Sequence, residues 1–132
     1  MKIIDGENAV LGRLASYVAK EVLKGEEAVI LNCDKVIITG NKKNIKENFE
    51  IRRSRTGSGQ KGPKHPKSSE KIVKRAIRGM LPDHRTGRGR IAYKKIKCYA
   101  GIPKEFEDSK KIVGGKEKRT KFEQVKEFIW KK

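Results

Sequence analysis

Arginine is the residue type whose spacing in this chain points most directly to chemistry. From Arg78 to Arg90 the sequence reads Arg-Gly-Met-Leu-Pro-Asp-His-Arg-Thr-Gly-Arg-Gly-Arg. Four guanidinium groups (Arg78, Arg85, Arg88 and Arg90) thus share a single acid, Asp83. Such groups meet phosphate oxygens as two-pronged forks. Gly87 and Gly89 alternate with Arg88 and Arg90 and would let the backbone itself approach an anion. If a helix opens near residue 90, its free N–H groups add to the same site. The pattern asks for an anionic partner more than for a substrate pocket.

A second basic concentration precedes it. Residues 52–67 carry Arg52, Arg53, Arg55, Lys61, Lys64 and Lys67 without one acid. Gly57, Gly59, Gly62, Pro63 and Pro66 deny this stretch regular structure, so it reads as a flexible loop. A loop so charged repels itself unless anions neutralise it. Lys74 and Arg75 lie between the two concentrations, and Lys94 and Lys95 extend the second.

The whole chain of 132 residues carries a net charge of +18, unevenly placed. Residues 1–50 hold eight basic and eight acidic residues, whereas residues 51–100 hold sixteen and two. A solubilising coat would spread both signs; a neutral part beside a strongly basic one is the footprint of nucleic acid. Exposed aromatic residues are few, which disfavours a groove that stacks single-stranded bases. Tyr93 and Tyr99 either stack on bases or pack internally. Recognition of structured RNA by shape and backbone fits best. If 6–10 phosphates are neutralised, affinity for isolated RNA should fall about 10³–10⁵-fold between 50 and 200 mM salt.

Catalytic readings lack their parts. Residues 5–12, Asp-Gly-Glu-Asn-Ala-Val-Leu-Gly, do not supply the glycine spacing of a dinucleotide site. Thr56-Gly-Ser-Gly-Gln-Lys-Gly62 lacks the Gly-Lys-Ser/Thr ending of a phosphate loop. Ser54, Ser58 and Ser69 have no identifiable His–Asp partners. His65 lies in the basic loop, where a cationic surface favours its neutral form; His84 lies among arginines. Cys33 and Cys98 stand far apart without a Cys-x-x-Cys pairing, and read as two buried thiols in a reducing cytosol. No catalytic residue, metal, cofactor or small-molecule substrate is expected. Neither a secretory leader nor an apolar run of about 20 residues is seen, so no membrane partner is expected either.

These groups need a scaffold, and the apolar pattern supplies one. Ile3-Ile4 forms a strand ending at Asp5-Gly6. Leu11, Leu14, Ala15, Val18, Ala19, Val22 and Leu23 then keep one helical face, with Asn8 as the N-cap and Gly25 at the C-terminal stop. Ala28–Leu31 is a strand covered on both faces, making a right-handed βαβ unit. Val36–Thr39 follows too closely for a parallel crossover, and is either an antiparallel neighbour or a bent extension. Asn41 caps a helix to about Phe49, and Ser68 or Ser69 caps another. The second buries Ile72, Val73, Ala76, Ile77 and Met80 and ends before Pro82. Ile91–Lys95 forms a helical turn and Ile96–Tyr99 the last strand. Thr120-Lys-Phe-Glu123 is a capping-box pattern for a short final helix docking Phe122, Val125, Phe128, Ile129 and Trp130.

Four of these stretches, in this order, resemble the universal large-subunit ribosomal protein family thirteen. They are Leu11-Gly-Arg-Leu-Ala-Ser16, Ile37-Ile-Thr-Gly40, Ile77-Arg-Gly-Met-Leu-Pro82 and Tyr99-Ala-Gly101. The likeness covers about residues 1–103, and Arg88-Gly-Arg90 resembles the archaeal and eukaryotic branch. The resemblance implies a three-layer α/β/α fold around a small, mainly parallel four-stranded sheet, with basic loop extensions. It implies an RNA-binding domain over residues 1–103 and a C-terminal extension over 104–132. It further implies a structural, non-catalytic role in the cytoplasmic ribosome, binding large-subunit ribosomal RNA during assembly. Neighbouring ribosomal proteins are implied partners; the tail after Pro103 departs most from the family pattern, and it meets either them or RNA. Arg13 is then either an RNA contact or an ordinary solvent-facing helix residue. A free RNA- or DNA-binding regulator, and a small nucleotide-dependent enzyme, are the competing readings.

Overall fold

The structure, a computed structural model, describes residues 1–128. Strand β1 (Lys2–Asp5) and strand β2 (Ala28–Leu31) pair in parallel, with Ile4 opposite Ile30. Between them runs helix α1 (Leu11–Leu23), which buries Leu14, Ala15, Val18, Ala19 and Val22 against the sheet side. The apolar spacing thus forms the expected face, except that Leu23 at its end is exposed. Gly25 takes the left-handed φ of +104° just past the helix, a conformation glycine adopts without a Cβ penalty. Asn8 is not the N-cap. The N-cap position is Val10, because Val10 is still extended and the Ala9 carbonyl accepts from the Ile37 N–H at 2.9 Å.

Helix α2 (Lys42–Ser54) opens on Asn41, whose side chain accepts from the Lys43 N–H at 3.1 Å. It runs past Phe49, so Arg52 and Arg53 belong to its last turn, not to a loop. Helices α3 (Ser69–Gly79) and α4 (Gly87–Lys94) lead into strand β4 (Ile96–Cys98), which pairs in parallel with β2. Strand β5 (Ile112–Val113) adds to the other side of β1, also in parallel. The sheet order is therefore β4-β2-β1-β5, with parallel pairing throughout.

This order fixes the layers. The steps β1 to β2 and β2 to β4 go the same way, so right-handed crossovers put α1 and α3 on one face, where they pack together. The return from β4 to β5 goes the opposite way and carries residues 99–111 across the other face. Val29 and Leu31 are accordingly buried too. The core lies between the sheet and α1 and α3, built from Ile4, Ile30 and Ile96 against Val18, Val73 and Ile77. Each such side chain contributes about 1.5–3 kcal/mol by leaving water. Met80, expected on this stripe, is exposed because α3 ends at Gly79 and the chain turns away.

Strand β3 (Ile37–Thr39) is neither a neighbour of β2 nor its extension. A single turn of 3₁₀ helix, Cys33–Lys35, carries the chain off the main sheet. There β3 pairs antiparallel with strand β6 (Phe122–Gln124). The capping-box pattern at Thr120–Glu123 thus opens no helix, since partner pairing wins over local propensity; residues 125–128 form a 3₁₀ turn. Val125 is fully buried, and its N–H donates to the Val36 carbonyl at 2.8 Å. Ile129 and Trp130 lie outside the described residues.

Candidate nucleic-acid interface

Helix α3 organises the basic surface because its two sides differ so sharply. Ile72, Val73 and Ile77 face the core, while Lys71 is exposed and Lys74, Arg75 and Arg78 are half-exposed. Ser68 occupies the N-cap position, but its hydroxyl is buried without a hydrogen-bond partner among the described residues. The expected cap bond is not made there.

The segment joining α2 to α3 is folded back on itself. The Gly62 N–H donates to the Thr56 carbonyl at 2.9 Å and the Lys61 N–H to the Ser58 carbonyl at 3.1 Å. Two arginines pin it to the helices. Arg53 Nη2 donates to the Pro66 carbonyl at 3.4 Å while its guanidinium lies 5.5 Å from the centre of the Phe49 ring. Arg75 Nη1 donates to the Lys64 carbonyl at 3.1 Å. Burial lowers the pKa of both guanidinium groups from the ordinary arginine value. They spend part of their hydrogen-bonding capacity on the protein itself.

Two basic hollows result. One, of about 360 Å³, is lined by Arg53, Arg55, Lys64, His65 and Lys67 together with Thr56 and Gln60. The other, of about 220 Å³, is lined by Lys64, Lys71, Lys74, Arg75, Arg78 and Tyr93. Lys64 borders both, and neither lining includes a carboxylate. Away from the hollows, ion pairs join Lys2 and Lys24 to Glu21, Lys35 to Glu7, Lys42 to Glu123, and the N-terminal amine to Glu26. The balanced part of the chain neutralises much of its own charge, and the basic part is left facing outward.

The glycine–arginine repeat is arranged differently from the expectation. Gly87-Arg88-Gly89-Arg90 is itself the first turn of α4. At about 100° per residue, Arg88 and Arg90 point to different sides and do not close on one phosphate. Arg90 and Lys94 share a side instead, both exposed. Gly89 serves close packing, not ligand approach: it is buried, and a Cβ there would sit 2.4 Å from the Asp83 carbonyl oxygen. The Asp83 carboxylate accepts from the Arg85 N–H at 3.0 Å and the Thr86 hydroxyl at 3.1 Å, which hold it below the usual carboxylate range. It is a turn former.

The other sequence candidates divide. Arg52, Arg55, Lys61, Arg85 and Arg13 are exposed, Arg13 on α1 and outside both hollows. Lys95 is drawn away, its Nζ donating to the Gly25 carbonyl at 2.7 Å beyond the end of α1. Tyr93 is no free stacking platform, with Lys74 Nζ 5.0 Å above its ring and His84 edge-on at 5.9 Å. Tyr99 packs at 5.9 Å against Phe106. Lys71, one of the cations that the α3 pattern turns outward, and His65 of the basic loop also line the hollows, beyond the RNA contacts expected from sequence.

The end of the sheet is closely packed. A parallel sheet offers a ligand crevice at the strand ends where its order reverses, here between β1 and β5. Gly114 and Gly115 fill it so closely that added Cβ atoms would meet the carbonyls of Asp5 at 2.3 Å and Asn8 at 2.2 Å. Among the described residues no group of three or more His, Cys, Asp or Glu could hold a metal ion, and no helix is long and apolar enough to cross a membrane. Cys33 and Cys98 are free; the neighbouring Cys98 thiol, and burial, push the Cys33 thiol up.

Comparison with known proteins gives a consistent picture. The ribosomal protein L13 family matches residues 1–105. The large ribosomal subunit protein uL13 of Methanopyrus kandleri is 48% identical over 107 residues, covering 81% of this chain and 66% of that protein. The uL13 of Methanosphaera stadtmanae is 48% identical over 108 residues, covering 80% and 75%. That of Methanocaldococcus jannaschii is 45% identical over 115 residues, covering 85% and 83%.

Proposed function

This chain belongs to the ribosomal protein L13 family, and from that membership we propose that it is a structural constituent of the large ribosomal subunit, holding large-subunit ribosomal RNA on its basic face. The observation that carries this reading is the pair of adjoining hollows lined by eight lysines and arginines without a carboxylate between them. Cations held so close repel one another, and the folded state keeps them there through Arg53 and Arg75. An anion lattice of fixed spacing relieves that repulsion, and an RNA backbone is one. The scarcity of open aromatic faces favours the sugar–phosphate backbone over base stacking.

The role is architectural: the crevice at which this kind of sheet would bind a nucleotide is filled by Gly114 and Gly115. The binding unit spans residues 1–103, close to the end of the family match at 105. The extension beyond it is tied back through β5 and β6 and is a surface for neighbouring ribosomal proteins. Residence in the cytoplasmic ribosome and a part in assembly belong to the same proposal.

Sedimentation tests it. In a cell extract at moderate salt the protein should travel with large subunits and leave them as salt rises. A pool that stays at the top of the gradient and binds some other nucleic acid selectively would replace this reading with that of a free regulator.

A further inference from the structure

His65 stands at the wall between the two hollows. Its Nε2 lies 3.5 Å from Arg75 Nη2, and a guanidinium only donates, so a hydrogen bond between them requires Nε2 to accept, with the ring proton on Nδ1. On one side the ring lines the hollow formed with Arg53, Arg55, Lys64 and Lys67; on the other, Arg75 lines the hollow formed with Lys71, Lys74 and Arg78. We propose that the His65 hollow is a phosphodiester subsite in which the bound phosphate and a proton on His65 arrive together, so that RNA binding is coupled to proton uptake. This rests on the RNA-binding reading above.

The charges acting on the ring are cationic. They are Arg75 from α3, Arg52 and Arg53 from α2, and Arg55 from the connecting segment, with Lys64 and Lys67 along the same lining. Without RNA, partial burial first and then these charges, Arg75 foremost, hold the imidazole below the ordinary histidine range. A phosphodiester brings a negative charge into the hollow and reverses that field. Nε2 then gains a proton and becomes a donor. The Arg75 N–H that it accepted is released, so that His65 and Arg75 both have donors for phosphate oxygens. The coupling has a fixed sign: the bound-state pKa exceeds the free-state pKa, so affinity rises as pH falls between the two.

The experiment measures binding of transcribed large-subunit ribosomal RNA from about pH 5.5 to about pH 8, the range in which histidine titrates. The wild-type chain should bind more tightly toward low pH, by up to about tenfold per pH unit for one linked proton. His65→Gln keeps a neutral polar group and should lose the slope, binding with one affinity across the range. His84→Gln removes the other histidine of the chain and should keep it. NMR of the His65 ring should show a higher pKa with RNA than without, which a merely structural side chain would not. A flat wild-type profile, a slope that survives in His65→Gln, or an unmoved ring pKa would overturn the inference while leaving RNA binding intact. Absence of RNA binding at every pH would instead remove the functional reading beneath it.

Discussion

Gly89 of α4 lies against the carbonyl of Asp83 so closely that a side-chain carbon would come within 2.4 Å of that oxygen, and within 2.5 Å of the Pro82 carbonyl. Both are backbone atoms that cannot swing aside. Gly89→Ala should therefore displace the turn at residues 82–86 or the start of α4, costing about 1–3 kcal/mol of stability by overpacking. Denaturant unfolding of the variant measures it. Gly87, with nothing within 4 Å of a Cβ, is limited only by its φ of +50° and gives the comparison.

The helical placement of Arg88 and Arg90 separates two kinds of contact. Lys74→Ala with Arg78→Ala removes two of the five cations lining the second hollow and should lower the salt slope of RNA binding by about 0.7–0.9 for each phosphate no longer neutralised. Arg88→Ala with Arg90→Ala should flatten the slope as well, the two effects adding, since these residues point to different sides of α4. Neither pair contributes to the buried core, so unfolding free energies should stay within about 0.5 kcal/mol of wild type. An unchanged slope in both pairs would move the binding face toward the hollow formed by Arg53, Arg55 and Lys67.

Lys95 and its neighbour Lys94 should behave in opposite ways. Lys95 Nζ binds the Gly25 carbonyl, beyond the negative end of the α1 dipole. Lys95→Ala should cost about 0.5–1.5 kcal/mol of stability and leave the RNA salt slope in place. Lys94→Ala, at an exposed position sharing a side with Arg90, should do the reverse. Paired unfolding and binding curves for both variants decide the matter.

Glu21 makes stability depend on pH. Hydrogen bonds from Lys2 and then Lys24 pull its carboxyl from 4.5 down to about 2, against burial. A carboxyl depressed in the folded state stabilises above its unfolded pKa and stops doing so as pH falls through the folded one. Urea midpoints of wild type should therefore exceed those of Glu21→Gln above about pH 5 and converge with them near pH 2. A constant gap across that range would assign the effect of Glu21 to packing alone.

Much of the scaffold was legible because it is set by local pattern. The face from Leu14 to Val22, the all-apolar Ala28–Leu31 and the Asn41 cap each specify their element within a few residues. What was hidden depends on partners far along the chain. Val36–Thr39 carries no sign that residues 122–124 will pair with it, and Thr120–Glu123 looks like a helix start until that pairing claims it. The site divided in the same way. Charge located the basic surface, but only the fold shows that Lys95 turns to Gly25, that Arg53 and Arg75 hold the loop, and that His65 stands between the hollows. Glycine beside arginine suggests room for a ligand; at Gly89 the room is filled by the protein's own carbonyls.

The pairing of β3 with β6 also has a consequence in time. During synthesis β3 is made long before the strand that completes it, and β1 likewise waits for β5. Contacts of such sequence separation close late and slow folding. The helices and segments bearing most of the positive charge therefore leave the ribosome while the sheet edges beneath them are still open. For that interval the growing chain is a polycation on an unfinished scaffold, and it becomes a finished one only when Val125 reaches the core.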